Sequence, residues 1–413
     1  MSEIFFTPCG ILFKKPNGEN FMNVLKECEG ISEELILHRR TVHSLAETGF
    51  DIPKTIEYIS SVLRKNGIEP RHCGGGIIAD IEGKSAEKII LRADCDALPI
   101  AEKSGLPFSA SNGCGHLCGH DMHTAMLLGA AKIIEKNKHR LTRGVRLAFQ
   151  GAEETLSGAK RMLECGAADG ICAAYGMHVL PAVPFKTGTV ILPPDGACAP
   201  YAEFFRIMVT GRESHGAAPH AGRDALLCAS RTVCALESLI SRESDPQIAS
   251  CLTVGSLHAG NVANAICGAA VMEGTLRTFD REHAKYLSVR LAECAKYTAL
   301  ASGCVAVTEI LSSSPALINS SDLLTRATEL LRRELPYVLS SHEAKMQKSI
   351  GGSEDFAYFS QKIPSLFFSL SAGDTNFSPY PLHHPAVRFD EGCLPYGCAA
   401  LCALAFDENG GKD

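Results

Sequence analysis

No run of 18 apolar residues occurs in this chain, so no membrane-spanning helix is expected. Tryptophan is absent, aromatics make up 7% of residues, and the formal net charge is −6. No basic block is interleaved with aromatics, which removes nucleic acid from the expected partners. Internal repeats and low-complexity tracts are also lacking. Met1 to Gly10 has no basic segment and only a short apolar patch at Ile4-Phe5-Phe6. It does not read as a signal peptide, and a cytoplasmic location is expected.

Cysteine, by contrast, is abundant: 18 residues among 413. Disulfide frameworks belong to small secreted chains that cannot build a core. This chain is long enough for two domains, and its 46% hydrophobic and 21% charged content is ordinary for a soluble globular protein. Most cysteines, such as Cys228, Cys234, Cys398 and Cys402, lie in apolar segments and read as small buried hydrophobes. Cys118 is the exception.

Apolar spacing predicts helices between residues 21 and 67, broken near Pro53 and ending at Asn66-Gly67. Strands at 76–79 and 88–91, a helix at 121–136, a strand at 145–150, a helix at 158–165 and a strand at 173–179 follow. Such alternation argues for an α/β sheet with helices on its faces. From residue 203 to 311 the order becomes β-α-β-β-α-β, the split βαβ order of a ferredoxin-like module. A helix at 321–334, a strand at 365–370 and a final helix after Gly392 then resume the α/β pattern. The expected fold is therefore α/β, with a catalytic domain built from residues 1–197 and 314–413 and an inserted α+β domain at 198–313.

Polar residues suited to metal recur near the strand ends. Asp94 and Asp96 follow the apolar run Ile89 to Leu91, with period-two spacing on one face. His116, Cys118 and His120 share that spacing just before a helix. Glu153-Glu154 follows one strand, His178 another, and His383-His384 sits in a proline-bounded loop. Ligands gather beyond the carboxyl ends of strands in α/β sheets. Together these side chains offer a thiolate, imidazoles and carboxylates, a set suited to zinc, manganese or cobalt. In an extended segment adjacent glutamates diverge, so one can hold metal while its neighbour takes a proton from an activated water.

Several segments carry a resemblance. They are Arg92-Ala93-Asp94-Cys95-Asp96-Ala97-Leu98-Pro99, Cys118-Gly119-His120-Asp121-Met122-His123, Phe149-Gln150-Gly151-Ala152-Glu153-Glu154 and Gly176-Met177-His178. His215-Gly216-Ala217-Ala218-Pro219-His220, Gly274-Thr275-Leu276-Arg277, Gly352-Ser353-Glu354-Asp355-Phe356 and Leu382-His383-His384-Pro385 complete the series. In order, from about His38 to Leu401, they resemble the bacterial and plant amidohydrolase family of co-catalytic metallopeptidases. Hippurate hydrolases, N-acyl-amino-acid deacylases and auxin-conjugate hydrolases belong to it.

The resemblance implies a zinc-peptidase-like catalytic domain with a central mixed sheet and a ferredoxin-like dimerisation domain inserted into it. It implies two divalent metal ions per subunit, held by Cys118, His120, Glu154, His178 and His383, with the Cys118 thiolate bridging. Glu153 would be the general base and Asp96 the acid that orients a metal-binding histidine. His384 is the rival to His383. Through a homodimer or homotetramer, His215 would reach a partner's site, while Asn264 and Arg277 hold the substrate carboxylate and Gly352 lines the substrate site. The substrate would be a small N-acyl amino acid or short peptide. His220 and His123 are left as structural. Three features depart from the family pattern: Gly151 replaces a usual proline, which is expected to loosen that loop; Ser353 replaces a smaller residue; and some twenty residues precede the first family helix.

Three rival readings were weighed. A carboxypeptidase or dipeptidase would use the same metals with another pocket. A non-catalytic binding protein of the same fold would have no need of Glu153. A cysteine hydrolase with Cys118 as nucleophile and His120 as base is disfavoured, because nucleophile and base usually come from separate elements.

Overall fold

The computed structural model describes residues 4–6, 12–14, 22–346 and 352–407. Most of the twenty-residue N-terminal extension therefore lies outside the described residues.

The central sheet has eight strands. From one edge they are Val338–Ser340, Val190–Leu192, Ser365–Ser371, Ile171–Leu180, Lys88–Asp94, Gly144–Gln150, Gly76–Ile81 and Pro70–Cys73. Four of them, Ser365–Ser371 through Gly144–Gln150, run parallel to one another, and antiparallel neighbours flank them. The sheet is mixed, and the carboxyl ends of its four parallel strands open on one edge. All seven residues of Gly144–Gln150 are buried, as expected of a strand covered on both faces.

The helix His120–Lys136 lies on this sheet against Ser32–Leu45 and Leu394–Ala405. Almost every residue of its first three turns is buried, which explains why its sequence shows so little polar face. Cys118 and His120 are separated by Gly119, whose φ of +89° lies in the left-handed region. A Cβ there would come within 2.3 Å of Val179, so glycine alone lets the chain turn into the helix at this point.

The second sheet is antiparallel, in the order Ser250–Ala259, Ala269–Thr278, Tyr201–Thr210, Val305–Ser314. Helices Ala225–Ser238 and Arg281–Ala301 cover one face, giving the ferredoxin-like arrangement read from the sequence. Its buried cluster, from Phe205 to Cys304, is distinct from the main core. On the uncovered face Met208 pairs with Val271 and Val307, and all three are exposed.

The sequence pattern missed the short strands Pro70–Cys73, Val190–Leu192, Gly196–Ala199, Leu317–Asn319 and Val338–Ser340. Three or four residues are too few to display a period. The first helix of the inserted module, Ala225–Ser238, continues as a π-helical turn, Leu239–Glu243. Gly151 is not a loose point: it is buried, and a Cβ there would meet Ile52 at 2.7 Å and the Gly49 carbonyl at 2.9 Å.

Candidate metal centre

At the open edge of the parallel strands, five donors from four segments converge. Cys118 precedes the helix His120–Lys136, of which His120 is the first residue. Glu154 follows Gly144–Gln150, His178 lies near the end of Ile171–Leu180, and His383 comes from a loop. The Cys118 Sγ lies 3.3 Å from the His178 Nε2 and 3.3 Å from the His383 Nε2. The Glu154 Oε1 lies 3.6 Å from the His383 Nε2 and 3.9 Å from the His120 Nε2. Two trios result, Cys118/His120/His178 and Cys118/Glu154/His383, each with its donor atoms within 4.8 Å of one another. Cys118 is common to both.

The ring protons show which nitrogens are available. The His120 Nδ1 lies 2.8 Å from the Asp96 carbonyl, and the His178 Nδ1 lies 2.7 Å from the Val179 carbonyl. A carbonyl only accepts, so both Nδ1 atoms carry a proton and both Nε2 atoms are left to face the site. His123 is fixed the other way: the Val179 N–H donates to its Nε2 at 2.9 Å, and its Nδ1 donates to Asp94 at 2.5 Å. With both nitrogens engaged, His123 is structural, as read from the sequence. His116 does not join the cluster; it is buried beside His43, with ring centroids 5.9 Å apart. His384 stacks on Tyr380 at 4.1 Å, while His383 reaches Cys118.

The donors fit a metal. Among the described residues, the His120 Nε2 and the Glu154 Oε1 are buried and take no hydrogen bond, a costly state that a cation would relieve. Burial pushes the Cys118 thiol up, so its thiolate needs a neighbouring cation. Burial and His123 lower the His178 pKa to about 3, keeping that ring neutral and its lone pair available. At His120 burial opposes protonation, but Asp94 and Cys118 outweigh it and raise the pKa well above the usual range.

Asp96 supports the centre from beneath. Its carboxylate accepts the backbone N–H groups of Glu153 at 3.1 Å and Glu154 at 3.3 Å, and lies 3.6 Å from the His120 Nδ1. Glu153 is 6% exposed. Its Oε1 accepts the Asp355 N–H at 3.3 Å, and its Oε2 lies 3.9 Å from the His120 Nε2. Burial and the Glu354 charge raise its pKa well above the usual range. Ala152 (φ +58°) and His383 (φ +67°) sit in the left-handed region on either side of the site, where a residue with a Cβ is strained and held by its surroundings.

Sequence reasoning passed over the carboxylates behind Glu153. Arg92, fully buried within the sheet, holds Asp94 and Asp355 at 2.8 Å each and Glu354 at 3.1 Å. Gln150 donates to Asp355 at 2.7 Å. The signal was present: an arginine inside an apolar strand demands buried partners, and Glu354-Asp355 lies in a quoted segment.

A cavity of about 690 Å³ opens over Cys118, Glu153, Glu154, His178 and His383. Arg277, on the second sheet, and Gly352 also line it. His215 and Asn264 do not. Both are exposed and lie together elsewhere, on the small ladder where Ser214–His215 pairs with Ala265–Ile266 and the Gly216 N–H meets the Asn264 carbonyl at 2.7 Å. The structure thus gathers nine of the sequence-selected residues at one place, counting Asp96 and His120 beneath the cavity floor, and leaves two apart.

Residues 90–407 match the family model of Peptidase family M20/M25/M40. An N-acetyl-L-cysteine deacetylase of Bacillus subtilis (strain 168) is 37% identical over 374 residues, which span 88% of this chain and 85% of that protein. An "IAA-amino acid hydrolase ILR1-like 2" of Arabidopsis thaliana is 34% identical, covering 89% and 83%. Among solved structures, a Bacillus subtilis protein described as a dinuclear metal binding peptidase superposes with a TM-score of 0.76 at 29% identity, covering 92% of this chain and 98% of that one.

Proposed function

Because the chain belongs to Peptidase family M20/M25/M40, we propose that it is a metal-dependent amidohydrolase that cleaves the amide bond of N-acyl amino acids or similar conjugates with water. The observation that carries this reading is the convergence of one thiol, three imidazole Nε2 atoms and Glu154 beside the buried carboxylate of Glu153.

Cys118, His120 and His178 would hold one divalent ion; Cys118, Glu154 and His383 would hold the other, zinc, manganese or cobalt being suited to this donor set. When bound, such ions polarise a carbonyl oxygen and lower the pKa of water. Glu153, placed between the cavity and Asp355, takes the proton of the attacking water and returns it to the leaving amine. Asp96 fixes the backbone of both glutamates and the ring of His120. Leu156, Leu180, Ile191, Phe204, Leu317 and Leu382 give the cavity apolar walls, which accommodate an acyl group. Arg277 offers a guanidinium fork to the free carboxylate of the amino acid, with Gly352 leaving room beside it.

The segment 198–313 is read as an inserted dimerisation domain. The exposed strip Met208, Val271 and Val307 and the exposed Tyr286, Val289 and Tyr297 give it apolar surface suited to a second copy. In a homodimer, His215 and Asn264 of one chain would complete the other chain's cavity, His215 donating to the oxyanion of the tetrahedral intermediate. The free thiols suit a reducing compartment such as the cytoplasm.

The test is a panel of N-acetyl and N-benzoyl amino acids, with dipeptides as a second arm, assayed after metal reconstitution and after exhaustive chelation. Release of free amino acid from the acyl substrates that stops on chelation and returns with metal is expected. Turnover undiminished by chelation, or confined to dipeptides, overturns the reading.

A further inference from the structure

Away from the cavity, three cysteines converge in the main core. Cys28 lies on the helix Val24–Glu29, and Cys398 and Cys402 lie one turn apart on Leu394–Ala405, so the latter pair share a face. All three are 0% exposed, and their sulfurs lie within 4.8 Å of one another. Gly129 on the neighbouring helix makes space for this: a Cβ there would stand 3.3 Å from the Cys398 Sγ. None of the three lines the active-site cavity.

The trio differs from scattered core cysteines in geometry. Three sulfurs each about 2.3 Å from one ion stand about 4.0 Å apart if the ion is planar and about 3.5 Å apart if it is pyramidal. Sulfurs already within 4.8 Å need approach one another by at most about 1.3 Å per pair to close on such an ion. Hydrogen bonds from Cys398 and Cys402 lower the Cys28 pKa against the opposing effect of burial, so one donor is readied for deprotonation.

Charge selects the ion. The charges acting on Cys28 are those of Glu27 and Glu29, both negative. Three thiolates around a divalent ion would leave a net negative charge in an apolar core, which is costly without a partner. Around a trivalent ion they leave none. We propose that Cys28, Cys398 and Cys402 form a binding site for a trivalent thiophilic metalloid, with arsenic(III) as its probe. Binding is a ligand exchange: As(OH)3 and three thiols give As(SR)3 and three waters. Three As–O and three S–H bonds break, three As–S bonds form, each hydroxide leaves with a thiol proton, and no electrons are transferred. Because the sulfurs are buried, entry requires opening of the six-residue helix Val24–Glu29, and the bound ion would clip that helix to Leu394–Ala405.

The test uses the full chain, metal-loaded, incubated with sodium arsenite and freed of excess reagent. Retained arsenic is counted by native mass spectrometry and the thermal midpoint is recorded. Cys28→Ala and Cys402→Ala serve as comparisons, each first shown to be folded by circular dichroism and by hydrolase activity without arsenite. The wild type should retain one more arsenic than either variant, and its thermal midpoint alone should rise. Since the other cysteines are common to all three proteins, equal retention overturns the site. Cadmium(II) retained at the trio as firmly as arsenite overturns the assignment to a trivalent ion.

Discussion

Replacing Glu153 by glutamine would separate the proposed proton-transfer role from the proposed metal-binding role. The glutamine amide has the same shape and keeps an oxygen where the Glu153 Oε1 accepts the Asp355 N–H at 3.3 Å, so the loop should hold. What is lost is a group that takes a proton, a contribution of about 10² to 10⁴ in rate, or about 3 to 5 kcal/mol of barrier. Glu154 is different: its Oε1 shares a trio with Cys118 and His383, and removing its charge removes a ligand. Measured with an N-acyl amino acid, Glu153→Gln should lose at least a hundredfold in kcat while keeping the wild-type metal content by inductively coupled plasma mass spectrometry. Glu154→Gln should lose bound metal on dialysis. A less than tenfold loss of kcat in Glu153→Gln, or equal metal loss in both variants, would refute this division of labour.

Arg277→Ala should raise KM about ten- to a hundredfold with little change in metal content, the size of a lost charge-assisted contact of about 1.5–3 kcal/mol; an unchanged KM would remove Arg277 from the substrate site. Mixing inactive His215→Ala and Glu153→Gln chains under subunit exchange should restore part of the activity, because half of the mixed dimer's sites then pair an intact Glu153 with an intact His215; no recovery would place His215 in its own chain's site. At His43 burial opposes protonation, but Asp121 and Glu102, each 2.9 Å away, outweigh it and raise the pKa to about 9. A pKa raised on folding stabilises most below the unfolded value of about 6.5, so the deficit in thermal midpoint of His43→Gln against wild type should be largest near pH 6 and shrink as pH rises through 9. A deficit that grew with pH would contradict the charge cluster.

Legibility in the sequence followed the length and repetition of each signal. Ser321–Glu334 and Ser365–Ser371 were placed almost to the residue, because a charged amphipathic helix and a bounded apolar run each carry a clear period. Three-residue strands carry none. The candidate metal-binding side chains are visible as polar residues just beyond apolar strands. What no spacing could reveal was which way each points: His116 and His120 are both an even number of residues from Cys118, yet only His120 turns toward it, because the helix begins there. Nor could the sequence show that Arg277 would face the cavity while His215 and Asn264 would not, since that depends on how the second sheet stands over the first.

The carboxylates around the site also explain why fold and metal belong together. Asp94, Asp96, Glu153, Glu354 and Asp355 are all buried, and Glu154 stands beside them. Arg92, the guanidinium shared by Asp94, Glu354 and Asp355, cannot offset that much negative charge. Burial raises Glu354 to about 7 and Asp355 to about 6, and at His120 Asp94 and Cys118 outweigh burial and raise the pKa well above the usual range. Divalent ions among Cys118, His120, Glu154, His178 and His383 would meet that surplus, and the donors would bind them in their deprotonated form. The buried charge behind the cavity would thus favour a cation at its floor, and Asp96, hydrogen-bonded to the backbone of Glu153 and Glu154 while its carbonyl holds His120, links the two.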